Sequence, residues 1–123
     1  MTVKNDMNIV IRSSDTGHQI ELRMFDDDGE PLDLANKIVK FRLESMSGAV
    51  AVNDVTAQII QDDHDPDLIG MVRFIWGDAN VAIGNGCYVY RFIAENTDGT
   101  NRISYPKENI VPGVPGGLAQ VIS

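Results

Sequence analysis

The amino-acid sequence predicts an all-β protein, an antiparallel β-sandwich of about seven to nine short strands. Three observations carry this prediction. Apolar and polar side chains alternate along many short runs, Gly, Asn and Asp interrupt the runs, and no run keeps a helical apolar spacing. A closed β-barrel is the main alternative. The chain has 123 residues, 43% of them hydrophobic, which is enough to bury the core of one domain.

The clearest alternation lies between Gly70 and Pro106. Strands are predicted at Met71 to Trp76, Cys87 to Glu95 and Arg102 to Tyr105. Apolar and aromatic residues recur at every second position of the first two runs, so they share one face of each strand. These residues are Val72, Phe74 and Trp76, then Tyr88, Tyr90, Phe92 and Ala94. Because aromatic rings dominate core burial, we expect Phe74, Trp76, Tyr88 and Phe92 to lie in the core.

The first half of the chain follows the same pattern. Its predicted strands are Met7 to Arg12, Gln19 to Phe25, Lys37 to Glu44, Val50 to Val52 and Thr56 to Ile60. Asp26-Asp27-Asp28-Gly29 predicts a hairpin-type turn, since Asp and Gly tolerate positive φ. The Lys37 strand places Phe41 on its apolar face, so Phe41 is also a predicted core residue.

The chain is predicted to have one folded domain and two polar or irregular ends. Residues 1–6 are predicted to be a flexible arm, residues 7–111 the sandwich, and residues 112–123 a segment that begins rich in Pro and Gly. Two interpretations of this last segment stay open. It forms the last strand of the sandwich, or it is a tail that adds a strand to a neighbouring subunit through Leu118, Val121 and Ile122.

Charge and composition argue against several classes of partner. The formal net charge is −8, and the ten Lys and Arg residues are scattered singly, which argues against binding to a nucleic-acid backbone. An acidic surface also disfavours anionic membranes. The N-terminus has no long apolar run, so we expect no signal peptide and no membrane span.

The sequence offers few groups for catalysis or metal binding. Cys87 is the only cysteine, which excludes an internal disulfide, and we expect it to be a buried, inert thiol. His18 and His64 lie in polar loops, and no catalytic or phosphate-binding motif occurs. We therefore expect neither an enzyme nor a cofactor.

One acidic run invites a metal-binding hypothesis. Asp62, Asp63, Asp65 and Asp67 offer carboxylate oxygens suited to calcium, but their spacing does not fit an EF-hand loop. Solvated turn residues are the favoured interpretation.

The order of these motifs resembles the N-terminal immunoglobulin-like domain of bacteriophage baseplate upper proteins. That family shows a turn-and-bridge motif, an apolar alternating strand, a Gly-led strand, an Asp…Gly-x-Tyr unit and an Asp-Gly…Phe-Pro ending. The matching residues are Gly29, Pro31, Asp33 and Leu34; Val39, Phe41 and Leu43; Gly70, Val72 and Phe74; Asp78, Gly86, Tyr88 and Phe92; and Asp98, Gly99, Tyr105 and Pro106. The resemblance covers about residues 7 to 106, with Tyr-Pro in place of Phe-Pro.

The resemblance implies an immunoglobulin-like sandwich and a non-enzymatic structural protein of a virion, in the baseplate or tail or attached to the head. Its implied partners are other virion proteins and copies of itself. In such sandwiches a tyrosine placed like Tyr88 bonds its hydroxyl to the backbone of the preceding loop. The alternative from another class is a module that binds glycan on the host surface, which would need Trp76, Tyr90 and Tyr105 exposed on one flat face. A small hydrolase built on His18 or His64 is a third possibility.

Overall fold

Two β-sheets pack across one apolar core in the computed structural model, which describes residues 8–62, 64–107 and 116–122. The strands, in chain order, are β1 Ile9–Arg12, β2 Gln19–Arg23, β3 Lys37–Ser45, β4 Val50–Thr56, β5 Gln58–Ile59, β6 Met71–Ile75, β7 Gly86–Asn96, β8 Ile103–Tyr105 and β9 Gly117–Ile122. The larger sheet has the order β1-β9-β7-β3-β4, with β8 also beside β7, and the smaller sheet has the order β2-β6-β5. The predicted all-β sandwich is confirmed.

The strand order is that of an immunoglobulin-like domain. β9-β7-β3-β4 corresponds to the G-F-C-C′ strands of variable-type domains, and β2-β6-β5 corresponds to their B-E-D strands. β1 runs parallel to β9, while the other strand pairs are antiparallel. Within the described residues no strand of one sheet pairs with a strand of the other, so the barrel alternative is wrong.

β3 and β7 form the centre of the larger sheet. They pair without a register break from Lys37 opposite Asn96 to Ser45 opposite Tyr88. Because side chains alternate across a strand, one face of this pair carries an apolar set, and the other carries a largely charged set together with the buried Val89 and Ile93. The inward residues are Val39, Phe41 and Leu43 on β3 and Tyr90, Phe92 and Ala94 on β7, all buried.

Phe41 is the centre of the core. Its ring stacks on Phe74 of the smaller sheet, with centroids 4.3 Å apart, and meets Phe92 edge-on at 5.1 Å. Trp76 is fully buried, and its indole Nε1 donates to the carbonyl of Ser13 at 3.1 Å, so its polar atom is satisfied. Four of the five aromatic residues predicted for the core are therefore buried in it. The fifth, Tyr88, is half-buried and packs at its margin.

Two glycines are required by close approach of the backbone. Gly70 has φ +85°, and a Cβ there would stand 2.6 Å from the carbonyl oxygen of Met24. Gly116 has φ +152°, and a Cβ there would stand 2.5 Å from a methyl group of Val89. A larger residue at either position would require displacement of the neighbouring backbone, at Met24 and Leu32 for Gly70 and at Tyr90 for Gly116.

The C-terminal residues form an interior strand of the larger sheet. β9 pairs with β1 on one side and with β7 on the other, so its backbone is engaged within the chain. Val121 is fully buried, whereas Leu118 and Ile122 are half-buried on the opposite face. Of the two interpretations, the last strand is therefore correct, and the proposed assembly tail with Val121 at its interface is wrong.

β4 and β5 follow each other closely but belong to different sheets. Only Ala57 separates them, and its N–H donates to the carbonyl of Val39 on β3 at 2.8 Å. The pairing of β4 with β3 shifts register twice, and Asp54 within β4 has φ +49°. These bulges bend β4 at the margin of its sheet, so the chain can cross to the smaller sheet.

Candidate functional site

In the acidic loop between β5 and β6, aspartate side chains accept hydrogen bonds from the backbone of the same loop. Asp62 accepts the N–H of His64 at 2.9 Å, and Asp65 accepts that of Asp67 at 3.0 Å. These bonds are those of turn residues. Asp63 lies outside the described residues, and among the described residues no group of three or more His, Cys, Asp or Glu side chains could hold a metal ion.

A cation from β2 holds the far end of this loop. Arg23 donates from Nε to the carbonyl of Ile69 at 2.7 Å and from Nη2 to that of Pro66 at 2.8 Å. Its guanidinium carbon also lies 5.9 Å from the centre of the Phe25 ring. Sequence reasoning missed this role because Arg23 and Pro66 are 43 positions apart and no local pattern joins them.

The aromatic platform needed by the carbohydrate alternative is not formed by the three residues named for it. Trp76 and Tyr90 are buried in the core. Tyr105 is half-buried, and its ring packs at a tilt against Phe25, with centroids 6.0 Å apart. Since sugar stacking needs exposed ring faces, this set of residues is not a glycan-binding surface.

Tyr88 fixes the entry into β7. Its hydroxyl donates to the carbonyl of Gly84 at 2.7 Å, four residues upstream. Tyr90 follows on the same face and is buried in the core. The hydroxyl bond predicted for Tyr88, back to the preceding loop, is confirmed, and it makes Tyr88 the equivalent of the tyrosine corner of immunoglobulin-like domains.

The residues considered for nucleophile and base lie in separate parts of the structure. Cys87 is exposed, so the prediction of a buried thiol is wrong. The alternation of β7 turns Cys87 away from the face of Tyr88, and its strand partner is the exposed Gln120. His18 lies in the loop between β1 and β2, and His64 lies in the loop between β5 and β6.

Charged side chains cover the part of the outer face formed by β3, β4 and β7. They form a continuous set of ion pairs, which we call the outer network; its members are Lys40, Arg42, Glu44, Asp54, Arg91, Glu95 and Arg102. Four of the ten basic residues of the chain are in this network. Three carboxylates oppose them, so the network is nearly neutral.

Two nearly buried glutamates anchor the outer network. The Glu95 side chain is only 5% exposed and accepts from Lys40 Nζ at 2.6 Å and Arg102 Nε at 3.3 Å. Glu44 pairs with Arg42 and, at 3.0 Å, with Arg91. The hydrogen bond to Glu44 raises the pKa of Arg42 above its ordinary value. Burial and shared partners make this network a structural feature of the sheet.

Asp54 links the two halves of the outer network. It lies 3.1 Å from Arg42 and 3.6 Å from Arg102. The alternation of β3 gave Lys40, Arg42 and Glu44 one face, but their partners come from β4, β7 and the β7–β8 turn. The sequence alone therefore shows that the three β3 residues share a face, but it does not show which residues of other strands pair with them.

Exposed apolar side chains lie at the margin where β4 passes into β5. We call residues Val55–Ile59 the crossover edge. Val55 is 47% exposed and Ile59 is 36% exposed, and Ile75 on the neighbouring β6 is 40% exposed. A cavity of about 320 Å³ opens beside this edge, and its apolar lining includes Val55, Ala57, Phe74 and Ile75. Exposed apolar groups next to a cavity are typical of surfaces that contact other molecules.

Comparison of the chain with protein-family models and with curated proteins gave no match. In the described part of the chain, no helix is long and apolar enough to cross a membrane.

Proposed function

We propose that this chain is a non-enzymatic structural protein of a bacteriophage virion, a baseplate, tail or head-attached component that acts by binding other proteins. The proposal begins from the ordered resemblance to the N-terminal immunoglobulin-like domain of baseplate upper proteins. Several residues that carry the resemblance have definite structural roles here. Phe41 and Phe74 join the two sheets, Tyr88 fixes the start of β7, and Gly70 permits a close backbone approach.

The observation that carries the proposal is the position of the exposed apolar side chains. The large hydrophobic residues with substantial exposure are Val10, Met46, Val50, Val55, Ile59, Ile75 and Val81. Five of these, Val10, Val50, Val55, Ile59 and Ile75, lie in strands, and four of the five lie in the terminal strands β1, β4 and β5. Terminal strands can pair with another chain, so their exposed apolar residues favour a role in assembly.

The carbohydrate-binding alternative loses its specific support. It required Trp76, Tyr90 and Tyr105 on one exposed face, and two of these rings are in the core. Binding to a host glycan is tested separately below, because proteins can also bind sugars through polar side chains.

Particle purification tests the proposal. Phage particles from the strain that encodes the chain are banded in a caesium chloride gradient, and each fraction is examined by quantitative mass spectrometry. We expect the chain to follow the capsid protein at a constant ratio through a second gradient in high salt. Recovery of the chain only in the soluble fraction contradicts the virion role.

A binding measurement with host polysaccharide distinguishes a carbohydrate-binding module from a structural protein of the virion. The purified chain is incubated with host-cell polysaccharide and with host cells from which the polysaccharide has been removed. Binding that needs the polysaccharide, by a chain absent from particles, favours the carbohydrate-binding module.

A further inference from the structure

Asn85 and Gly86 lie where the chain enters β7, on the surface of the molecule. Asn85 is the one asparagine of the chain that a glycine follows. Gly84, Asn85 and Gly86 are all exposed. Beyond its chain neighbours, a Cβ at Gly84 would meet no atom within 4 Å, and one at Gly86 would meet nothing closer than 3.8 Å. The backbone on either side of Asn85 therefore has space to rearrange.

The Asn-Gly dipeptide places a nucleophile next to an electrophile. The backbone nitrogen of Gly86 reaches the side-chain carbon Cγ of Asn85 by closing a five-membered ring, and glycine has no Cβ to obstruct the approach. The nitrogen loses its proton to hydroxide and forms a bond to Cγ. The bond from Cγ to Nδ2 breaks, and Nδ2 takes a proton from water and leaves as ammonia. The product is a cyclic succinimide.

Water then opens the succinimide at one of its two carbonyl carbons. Attack at Cγ breaks the new bond and leaves aspartate at position 85. Attack at the backbone carbonyl leaves isoaspartate, in which the main chain runs through the side-chain carbons. Isoaspartate lengthens the main chain by one carbon–carbon bond, about 1.5 Å. Either product carries a carboxylate where the chain had an amide.

The two Asp-Gly dipeptides of the chain are held by their turns. The N–H of Gly29 donates to the carbonyl of Asp26 at 3.1 Å. The N–H of Gly99 donates to the carbonyl of Asn96 at 2.8 Å. The side chains that precede these glycines are carboxylates at neutral pH, and a carboxylate is a much weaker electrophile than an amide. Ring closure is therefore favoured at Asn85 over both Asp-Gly positions.

The hydroxyl bond of Tyr88 spans the reactive dipeptide. The hydroxyl donates to the carbonyl of Gly84 at 2.7 Å, so Asn85 and Gly86 lie inside the turn that this bond closes. An additional main-chain carbon at position 85 displaces Gly84 from β7. Because the length of such a hydrogen bond varies by only about 0.5 Å, this displacement is enough to break it.

We propose that Asn85 is a site of spontaneous covalent modification, in which loss of its side-chain amide through a succinimide with Gly86 forms isoaspartate and releases Tyr88 from Gly84. The reaction consumes water and needs no other group of the chain. The inference concerns the loop before β7 and is independent of the proposed virion role.

Mass spectrometry of the aged full chain tests the modification. The folded chain is held in mildly acidic and in mildly alkaline buffer, digested at acidic pH, and examined by electron-transfer fragmentation, which distinguishes isoaspartate from aspartate. We expect a gain of one mass unit at Asn85, with both products present. The gain should be faster in alkaline buffer, because the reaction begins with loss of the proton from the Gly86 nitrogen.

The other asparagines of the same sample are the internal control, since a residue with a side chain follows each of them. Asn85→Gln is the matched variant and should stay unchanged over the same period, because its closure needs a six-membered ring. An intact Asn85 in the folded chain, under conditions in which a peptide of residues 82–91 reacts, overturns the proposal. Equal reaction at the other asparagines also overturns it.

Urea unfolding tests the consequence for Tyr88. We expect ageing to lower the unfolding midpoint of the wild type but to change that of Tyr88→Phe little, because this variant already lacks the hydroxyl bond. Asn85→Asp adds the charge without the extra carbon and should keep the wild-type midpoint. Equal loss on ageing in the wild type and in Tyr88→Phe would refute the release of Tyr88.

Discussion

β3 and β7 present two faces that are stabilised in opposite ways. On the inner face Phe41 joins the sheets through ring contacts with Phe74 and Phe92. On the outer face Glu95 and Glu44 are nearly buried, and each forms ion pairs with the long basic side chains that cover it. The inner face is therefore stabilised by apolar packing, whereas the outer face combines ion pairs with the buried side chains of Val89 and Ile93.

The difference suggests where function lies. An outer face whose charges are paired within the chain has few charged groups left to recruit a partner, and an inner face is inaccessible. At the crossover edge, by contrast, the apolar side chains of Val55 and Ile59 are exposed. Substitutions on the two faces should therefore differ in kind: the loss of folding free energy should be insensitive to salt inside and sensitive to salt outside.

The largest effect is expected from Phe41→Ala. Removal of a fully buried ring that bridges both sheets should lower the free energy of unfolding by about 3–5 kcal/mol. Urea denaturation followed by tryptophan fluorescence measures this, since Trp76 is the single tryptophan. Phe25→Ala is the control, because Phe25 is half-buried and should cost less than half as much. Equal losses would mean that Phe41 is not the centre of the core.

A smaller effect is expected from Glu95→Gln on the outer face. The substitution keeps the shape of the side chain and removes its charge from Lys40 and Arg102. Those partners are 30% and 51% exposed, so water screens part of the loss, and we expect about 1–2 kcal/mol.

Glu21→Gln is the matched control for this substitution. Glu21 pairs with Arg73 on the smaller sheet but is 37% exposed, so its loss should be within about 0.5 kcal/mol. Both variants are unfolded in urea at low and high salt. If the two substitutions cost the same, burial does not strengthen the outer network.

Much of the fold was predictable because its signal is local. The alternation around Phe41 and Phe74 predicts which face of its strand each ring occupies, even though it does not predict that the two rings stack on each other. Tyr88 was predictable because its bond to Gly84 closes over four residues. The alternation of buried and exposed positions and the presence of short turns depend on neighbouring residues. They can therefore be predicted from a single sequence.

The remaining features depend on pairing between distant segments. The parallel pairing of Ile9 with Ala119 joins the two ends of the chain, and this pairing decides that the C-terminal residues form an interior strand. The exposure of Cys87 follows from its place opposite Gln120, which is also a matter of register. The crossover edge exists because β4 and β5 end two different sheets, and strand pairing decides this.

The smallest effect concerns the turn after β7, which lies outside both faces. Asp98 accepts the Thr100 hydroxyl at 2.6 Å and the Thr100 N–H at 3.0 Å, and these bonds lower the pKa of Asp98 below its ordinary value of 3.8. Because the pKa is lower in the folded chain, the ionised turn stabilises folding above about pH 4. That contribution is lost as pH falls through the lowered folded pKa.

Comparison of the wild type with Asp98→Asn isolates this contribution. The difference in their unfolding free energies should be constant from about pH 5 to 7 and should shrink below about pH 4, while other carboxylates cancel because both proteins contain them. Asp33→Asn should behave alike, since the Ala35 N–H and the Gln61 amide lower the pKa of Asp33 in the same direction. A difference that grows as pH falls contradicts this sign. A difference that stays constant below pH 4 would show that the stability of the turn does not depend on the charge of Asp98.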